Sequence, residues 1–280
     1  MNKPNNTMYF ETETQERIQK TLARNGLGSR RQIEAAIKLG QLSINNTPVQ
    51  LGQKLSAGDR IVWKNRVWLV EETHSKPRVL MYHKPDGLVT TRQDELGRPT
   101  VFDSLPKIKG QKWLNIGRLD INTTGLLLFT TDGDFAHHMT HPSSQIDREY
   151  ACRIFGEVDD DMIQRLLSGV ELEDGLANFS DIQRADEDRE GSANHWFYVA
   201  IMEGRNREVR RLWESQGVQV NRLKRVRYGG VFLPKNLLQG KYRELNDKEL
   251  SILFEDSHYQ PPASQLTVKS VAKKRGRSKG

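Results

Sequence analysis

The sequence has one cysteine, no long apolar run and no apolar segment near its start, and each absence excludes a class of protein. A single cysteine, Cys152, excludes an intramolecular disulfide. No stretch approaches the roughly 18 apolar residues that a membrane-spanning helix requires. The first residues, M-N-K-P-N-N-T, lack the apolar core of a secretory signal. We therefore expect a cytoplasmic protein without a membrane span.

Three histidines lie close together in the chain, at His137, His138 and His141. Their spacing, H-H-x-x-H, contains no Glu and matches no closed tetrahedral set. Carboxylates of the kind that complete a catalytic zinc site are also missing beside them. We predict no metal site here.

Basic residues outnumber acidic residues in the chain. Lys and Arg number 43 against 36 Asp and Glu, which gives a net charge of +7 and a pI near 9.4. This excess favours a polyanionic partner, although charge alone fits RNA, DNA or an acidic membrane surface equally well. The length of 280 residues suits one large domain and one small one.

Composition and apolar periodicity divide the chain into four predicted segments. Residues 1–14 are polar and without a periodic apolar pattern, which predicts a disordered leader. We predict a small domain over residues 15–75 and a larger domain over residues 76–260. A Pro-Pro pair opens residues 261–280, and the cationic residues that follow predict a disordered basic tail.

The small domain has clear start and turn signals. Ser29 is typical of an N-cap, and the apolar residues on both sides of it recur at helical spacing, which predicts two short helices. Asn45 and Asn46 tolerate the positive φ of a tight hairpin turn between two short strands. Basic residues of these helices, Lys20, Arg30 and Arg31 among them, form either a solvated face or a surface for an anion.

The most informative stretch is residues 116–133, which read I-G-R-L-D-I-N-T-T-G-L-L-L-F-T-T-D-G. It places Arg118 and Asp120 before a turn that we predict within residues 122–125, followed by a buried strand at residues 126–131. An Asp before Asn-Thr-Thr-Gly is most often only a turn former that accepts backbone hydrogen bonds. The alternative is a reactive carboxylate at the end of a rigid strand.

Two later stretches combine charge with apolar periodicity. R-E-Y opens an alternating strand in which Tyr150 has the pattern of a core tyrosine with its hydroxyl at the edge. E-G-R-N-R-E-V-R-R-L-W carries four arginines that cannot all point inward without partners. These arginines are Arg205, Arg207, Arg210 and Arg211.

Together, the 116–133 string, R-E-Y and E-G-R-N-R-E-V-R-R resemble the motifs of one family of ribosomal RNA pseudouridine synthases, whose members act on either the small or the large ribosomal particle. The resemblance implies that Asp120 is the catalytic nucleophile. It implies that Tyr150 stacks on the target base, with its hydroxyl a candidate for proton transfer. It also implies that Arg210, with Arg205 as the less favoured choice, forms an ion pair with Asp120.

A second resemblance covers the small domain. The pattern L-A-R-x-G-x-G-S-R-R, G-x-L-S-I-N-N and A-G-D-R-I is similar to the S4 RNA-binding domain, and K-P-D-G resembles a motif that precedes the catalytic one. The implied fold class is α+β, with a small S4 domain tethered to a catalytic domain that has a central mixed, mainly antiparallel sheet. The residues that we expect to bind RNA are Arg118, Arg205, Arg207, Arg30, Arg31, Lys20 and Lys84.

The expected function is isomerisation of one uridine of ribosomal RNA, in the peptidyl-transferase region of 23S rRNA or its large-subunit precursor. Pseudouridine forms when the C1′–N1 bond breaks, the base turns and C5 bonds to C1′, so the reaction needs no redox cofactor, metal or nucleotide. We expect a monomer. Three alternatives stay open: action on 16S rRNA, an inactive S4-type assembly factor, and a glycosidase or nucleosidase that pairs Asp120 with Asp132 or Asp134.

Overall fold

A computed structural model describes residues 14–74, 76–185 and 194–271. Within these ranges no helix has both the length and the apolar character needed to cross a bilayer. The chain divides into two units, of which unit 1 comprises Met1–Lys76, Ile108–Lys112 and Pro262–Gly280, and unit 2 comprises Pro77–Lys107 and Trp113–Pro261.

Unit 1 combines two short helices with short strands. Its elements are β1 (Glu16–Arg17), α1 (Ile18–Arg24), α2 (Arg30–Lys38), β2 (Ser43–Ile44), β3 (Thr47–Pro48), β4 (Lys54–Leu55), β5 (Arg60–Trp63), β6 (Arg66–Thr73) and, from the far end of the chain, β18 (Gln265–Val271). Five of these strands form an antiparallel sheet in the order β18-β6-β5-β2-β3, and β1 pairs separately with β4.

Local sequence accounts for most of unit 1. Ser29 caps α2 as predicted, and its partner Gln32 completes a capping box by accepting from the Ser29 backbone N–H. Asn45 and Asn46 both have positive φ, 50° and 69°, which joins β2 to β3 through the predicted tight turn. The apolar faces of both helices meet the sheet in one buried core that includes Leu22.

The prediction of a disordered tail from residue 261 is wrong over β18. This strand pairs with β6 along its whole length, and Leu266 is fully buried in the core of unit 1. The Leu266 N–H donates to Glu16, while Arg24 donates both to Glu16 and to the Leu266 carbonyl. The strand's partner is almost two hundred residues away in sequence, so no local signal reveals it. Residues 272–280 of the predicted tail and 1–13 of the predicted leader lie outside the described residues.

Unit 2 is built on a nine-stranded sheet with helices against it. Its elements are β7 (Val79–Lys84), a 3₁₀ turn (Val101–Ser104), β8 (Leu114–Ile116), β9 (Thr124–Thr130), α3 (Gly133–Thr140), a 3₁₀ turn (Pro142–Ser144), β10 (Arg148–Phe155), α4 (Asp160–Ser168), β11 (Val170–Leu172), β12 (Gly175–Ala177), β13 (Asp181–Arg184), β14 (Asn194–Ile201), α5 (Glu208–Glu214), β15 (Gln219–Tyr228), β16 (Val231–Phe232), β17 (Tyr242–Glu244) and α6 (Asp247–Asp256).

The main path of this sheet runs β13-β14-β10-β15-β9-β7-β17, with β16 paired to β15 and β8 paired to β9. Strands β15 and β9 are parallel, and the other pairs of this sheet are antiparallel. The predicted α+β class with a mixed, mainly antiparallel sheet is confirmed. Strand β9 is central and buried on both faces, as its uninterrupted apolar run indicates.

The turn before β9 lies earlier than predicted. It spans residues 120–123, where the Thr123 N–H donates to the Asp120 carbonyl. Gly125 already belongs to β9 and has φ +103°. A Cβ at this position would lie 2.2 Å from the Arg225 carbonyl oxygen of β15, so the glycine is needed for close approach of two strands and not for a turn.

Candidate active site

The loop of residues 117–123 is held almost entirely through its backbone carbonyls. The Thr90 hydroxyl donates to the Leu119 carbonyl, and the Gly87 N–H donates to the Ile121 carbonyl. The carbonyls of Asn122 and Thr123 accept from Arg210 and Lys84 at 3.2 Å and 2.8 Å. A loop fixed in this way positions the Asp120 side chain without using its carboxylate as a structural acceptor.

Lys84 is fully buried, which contradicts its predicted role as an RNA contact. Its ammonium donates to the carbonyls of Pro85, Ile121 and Thr123 at 3.1, 3.1 and 2.8 Å. Burial lowers its pKa to about 8, although the nearby carboxylates of Asp86 and Asp120 act in the opposite direction. Sequence alone could not show which face of β7 this lysine occupies. Its function in the structure is to hold the loop that carries Asp120.

The Asp120 side chain is half-buried at a cleft of about 1130 Å³ in unit 2. The predicted residues Arg118, Tyr150, Arg205 and Arg207 line the same cleft. The structure therefore brings a carboxylate, an aromatic ring and several guanidinium groups to one concave surface, which suits a flipped-out base and its flanking phosphates.

The structure does not form the predicted ion pair between Arg210 and Asp120 among the residues that it describes. The Arg210 guanidinium is buried and donates to the Val220 carbonyl at 2.7 Å and to the Asn122 carbonyl at 3.2 Å. Burial and the neighbouring Arg207 lower its pKa, while the Asp120 carboxylate raises it, so the two side chains do interact electrostatically. Arg210 thus holds the Asp120 loop through the backbone and provides positive charge near the carboxylate.

Tyr150 lies at the start of β10 with 7% of its surface exposed, and it faces the cleft. Directly across on β15 is Arg225, which is also buried, lines the cleft and donates to the Leu126 carbonyl at 2.7 Å. One terminal nitrogen of Arg225 has no partner in the described structure. Tyr150 therefore faces the cleft from the position opposite Arg225, whose guanidinium lies over the Tyr228 ring at 5.0 Å.

Sequence reasoning did not select Arg225 or Arg148 as site residues. Arg148 is buried, lines the cleft and donates to the carbonyls of Met202 and Glu203 and to the Tyr228 hydroxyl at 2.9, 2.8 and 3.0 Å. The available signal was an arginine on the inward face of a strand, two positions before Tyr150 in the same alternation. A buried arginine of that kind must have acceptors, and here it fixes the cleft wall.

The predicted RNA-binding arginines around α5 differ in their surroundings. Arg205 donates to the carbonyls of Gly175 and Leu176 and forms an ion pair with Glu203, so it holds the hairpin between β11 and β12 to the cleft rim. Arg207 has a left-handed backbone with φ 50° and an exposed side chain 3.6 Å from Glu214. Arg118 is exposed at the cleft. Arg118 and Arg207 are therefore better placed for phosphate than Arg205.

The carboxylates that a glycosidase mechanism would require are placed differently. Asp132 is buried and caps α3 by accepting from the backbone N–H groups of Asp134 and Phe135, and it accepts from Tyr259. Neither Asp132 nor Asp134 lines the cleft. Glu208 does line it, and burial raises the pKa of Glu208 above its usual value while it accepts from the Arg205 N–H at 3.0 Å.

The predicted RNA-binding residues of unit 1 lie on its two helices. Arg30 and Arg31 are exposed in the first turn of α2, and Lys20 is half-exposed on α1. Within the described ranges, no group of three or more His, Cys, Asp or Glu side chains is arranged to hold a metal ion. His141 instead accepts from the Ser143 N–H and caps the following 3₁₀ turn.

Two family profiles match the chain. One, described as RNA pseudouridylate synthase, covers residues 78–215, and the other, described as S4 domain, covers residues 16–61. These two matches fall on the cleft-bearing unit and on the helices and hairpins of unit 1.

Curated relatives and a solved structure agree with these profiles. The chain is 54% identical over 249 residues to a Pseudomonas aeruginosa protein named ribosomal large subunit pseudouridine synthase B, with 89% of this chain and 64% of the relative covered. A Vibrio cholerae protein of the same name is 50% identical over 248 residues, with 88% and 76% covered. A crystal structure described as a pseudouridylate synthase has a TM-score of 0.59 and 26% identity and covers 85% of this chain and 99% of its own. The chain thus spans less than two thirds of the length of the Pseudomonas relative.

Proposed function

Because the chain belongs to the RNA pseudouridylate synthase family and carries an S4 domain, we propose that it converts a specific uridine of ribosomal RNA to pseudouridine. The observation that carries the proposal is the Asp120 carboxylate, presented at a cleft by a loop whose carbonyls are held by other elements. Relatives named as large-subunit enzymes support 23S rRNA as the substrate. The resemblance of the motifs is the basis on which we propose a target uridine in the peptidyl-transferase region of 23S rRNA.

The reaction requires a carboxylate in contact with the nucleotide while bulk water is excluded. Asp120 is the proposed nucleophile, acting at the sugar or the base. The bond from C1′ moves from N1 to C5, C5 loses its proton and N1 gains one, so that no net oxidation or hydrolysis occurs. No cofactor enters this scheme. Arg210 and Lys84 both interact electrostatically with Asp120 and provide positive charge beside the reacting carboxylate.

The base must leave its stack before it can react, because its reacting atoms are shielded in folded RNA. The Tyr150 ring at the cleft wall provides a surface on which the extruded base stacks. Arg118 and Arg207, at the exposed part of the cleft, hold the flanking phosphates, and the α2 surface of unit 1 with Arg30 and Arg31 adds sequence-independent affinity.

Pseudouridine mapping in cells tests both the chemistry and the substrate. Sites in 23S and 16S rRNA are mapped in cells that lack this protein and in cells complemented with wild type or Asp120→Asn. The proposal expects one 23S site to disappear and to return only with the wild type. Loss of a 16S site would support the same reaction with 16S rRNA, instead of 23S rRNA, as the substrate. If no site changed, an RNA-binding assembly factor would replace the enzyme as the best account.

The proposal also includes the cellular location and the oligomeric state. We place the protein in the cytoplasm, where bacterial ribosomal RNA is transcribed and assembled, and we propose that it acts as a monomer. Sedimentation of the purified chain with and without RNA would measure the oligomeric state directly.

A further inference from the structure

One face of the unit 2 sheet carries a compact group of basic and aromatic side chains away from the cleft. Arg153 of β10 lies directly opposite Arg222 of β15, and Ala151 lies between Tyr198 of β14 and Lys224 of β15. Residues Arg153, Tyr198, Arg222 and Lys224 therefore occupy adjacent positions on three neighbouring strands, and we call them the basic face.

The basic face is on the opposite side of the sheet from the active site. Side chains of successive strand residues point to alternate faces. On β15, Leu223 and Arg225 line the cleft, so Arg222 and Lys224, the residues that alternate with them, point to the other side. The same alternation on β10 places Tyr150 at the cleft and Arg153 on the opposite side.

Within the described part of the chain, the cations of this face have no carboxylate partner. Arg222 is exposed, Arg153 is half-buried, and the Arg153 Nε has no hydrogen-bond acceptor. Arg153 and Arg222 are like charges directly opposite each other on neighbouring strands, which is a destabilising arrangement. No carboxylate of the described residues forms an ion pair with either of them. Lys224 adds a third positive charge, and together with burial, which is the larger cause, it lowers the pKa of His83.

The side chains of the basic face indicate the class of molecule that would bind there. Unpaired guanidinium and ammonium groups call for a polyanion, and Tyr198, with 43% of its surface exposed, adds an aromatic ring among them. Basic side chains interleaved with an aromatic ring on an exposed sheet match the way in which unpaired nucleotides are bound, with bases stacked on rings and phosphates paired with cations.

We propose that the basic face is a second RNA-binding surface, which binds an unpaired segment of the substrate RNA on the side of the sheet remote from the cleft. Arg153 and Arg222 bind phosphates, and Tyr198 stacks on a base. The inference takes RNA as the partner from the proposed function but does not depend on catalysis.

The test measures RNA affinity of the full chain as a function of salt concentration. The probe is a protein-free, fluorescently labelled 23S rRNA transcript. The variant Arg153→Gln/Arg222→Gln is compared with Lys107→Gln/Lys248→Gln, a control that removes two charges from exposed sites of unit 2 outside both the cleft and the basic face. Each lost phosphate contact on a single strand lowers the slope of log affinity against log salt by about 0.7.

The expected result is a slope smaller by about 1.4 for the basic-face variant, which corresponds to about 25-fold weaker binding at 0.1 M salt and equal binding near 1 M. The thermal midpoint of the free variant should not fall, because a repulsive pair has been removed. Slopes equal to those of the control would overturn the proposal and favour an acidic protein as the partner. The proposal would also be overturned if the basic-face variant lost RNA affinity with an unchanged salt slope, or if its thermal midpoint fell below that of the wild type.

Tyr198 provides an independent check of the stacking contact. Tyr198→Leu should weaken binding about 5-fold or more, since stacking of one base on an aromatic ring contributes about 1–3 kcal/mol. Tyr198→Phe keeps the ring and should bind as the wild type does. If both variants bound equally, the stacking role would be refuted. The readouts are binding constants and a thermal midpoint, and none of them measures turnover. Failure of this proposal therefore leaves pseudouridine formation untouched, and an inactive chain that bound RNA in this way would refute only the proposed catalysis.

Discussion

Replacing Lys84 with methionine removes the buried ammonium that donates to the carbonyls of Pro85, Ile121 and Thr123. The Ile121 carbonyl keeps the Gly87 N–H as a donor, so the other two carbonyls are left without this partner. A buried acceptor that loses its partner costs about 1–3 kcal/mol, and the expected loss in the free energy of unfolding near pH 7 is therefore about 2–6 kcal/mol. The loop that positions Asp120 should loosen, so turnover should fall as well.

The same variant should change how stability depends on pH. The pKa of Lys84 is about 8 in the folded protein, against an ordinary value of 10.5. Between these values the unfolded chain binds the extra proton, so the wild type gains stability as pH rises from about 8 to 10.5, with a total of roughly 3 kcal/mol. Lys84→Met lacks this gain, and the difference between the two proteins should widen over that window.

Urea unfolding of both proteins at pH 7, 8.5 and 10 measures these differences. A difference in unfolding free energy that stayed constant or narrowed with rising pH would refute the assignment of a depressed pKa to Lys84. A variant as stable as the wild type at pH 7 would refute the idea that Lys84 holds the loop.

Two further substitutions test the packing that surrounds the site and completes unit 1. Gly125→Ala places a Cβ 2.2 Å from the Arg225 carbonyl oxygen, far inside van der Waals contact, and should abolish turnover with a loss of several kcal/mol in stability. Gly217→Ala, also at positive φ but in open space, should lower the free energy of unfolding by about 1 kcal/mol or less, as thermal unfolding would measure. Leu266→Ala should destabilise unit 1 by about 2–5 kcal/mol, whereas Val271→Ala at the exposed end of the same strand should change stability by about 0.5 kcal/mol or less. Equal effects within either pair would contradict the packing described for it.

The sequence predicted features that depend on neighbouring residues. The cap at Ser29 and the Asn45-Asn46 turn are local hydrogen-bonding and backbone preferences, and the structure has both. The buried apolar run of β9 was also readable, because a strand covered on both faces has no polar alternation. The α+β fold class itself was predicted from the resemblance to the family motifs and to the S4 domain, with which these local features agree.

What the sequence did not show depends on contacts between distant parts of the chain. Lys84 looked like a surface cation, because its three carbonyl partners are assembled only when β7 meets the loop of residues 117–123. Gly125 looked like a turn residue, because its neighbour Arg225 is one hundred residues later. Strand β18 looked like a disordered tail, because its partner β6 lies near the other end of the chain.

Arg210 is a residue of the site whose contacts with distant parts of the chain the sequence also did not show. Its motif predicted a direct ion pair with Asp120, but the guanidinium donates to the Val220 and Asn122 carbonyls. Two backbone carbonyls accept from its terminal nitrogens, while its buried Nε has no hydrogen-bond partner in the described structure. No sequence pattern reports backbone acceptors of this kind.

The most direct test of the central claim is a single-turnover assay of pseudouridine formation in a 23S rRNA transcript by wild type, Asp120→Asn and Asp86→Asn. Asp86 is an exposed carboxylate that also interacts with Lys84 and Arg210 but does not line the cleft, so its variant removes the same charge from outside the site. The account predicts that Asp120→Asn binds the RNA as the wild type does but reacts at least about 10⁴-fold more slowly, with Asp86→Asn close to the wild type. Pseudouridine formation by Asp120→Asn at the wild-type rate would contradict it.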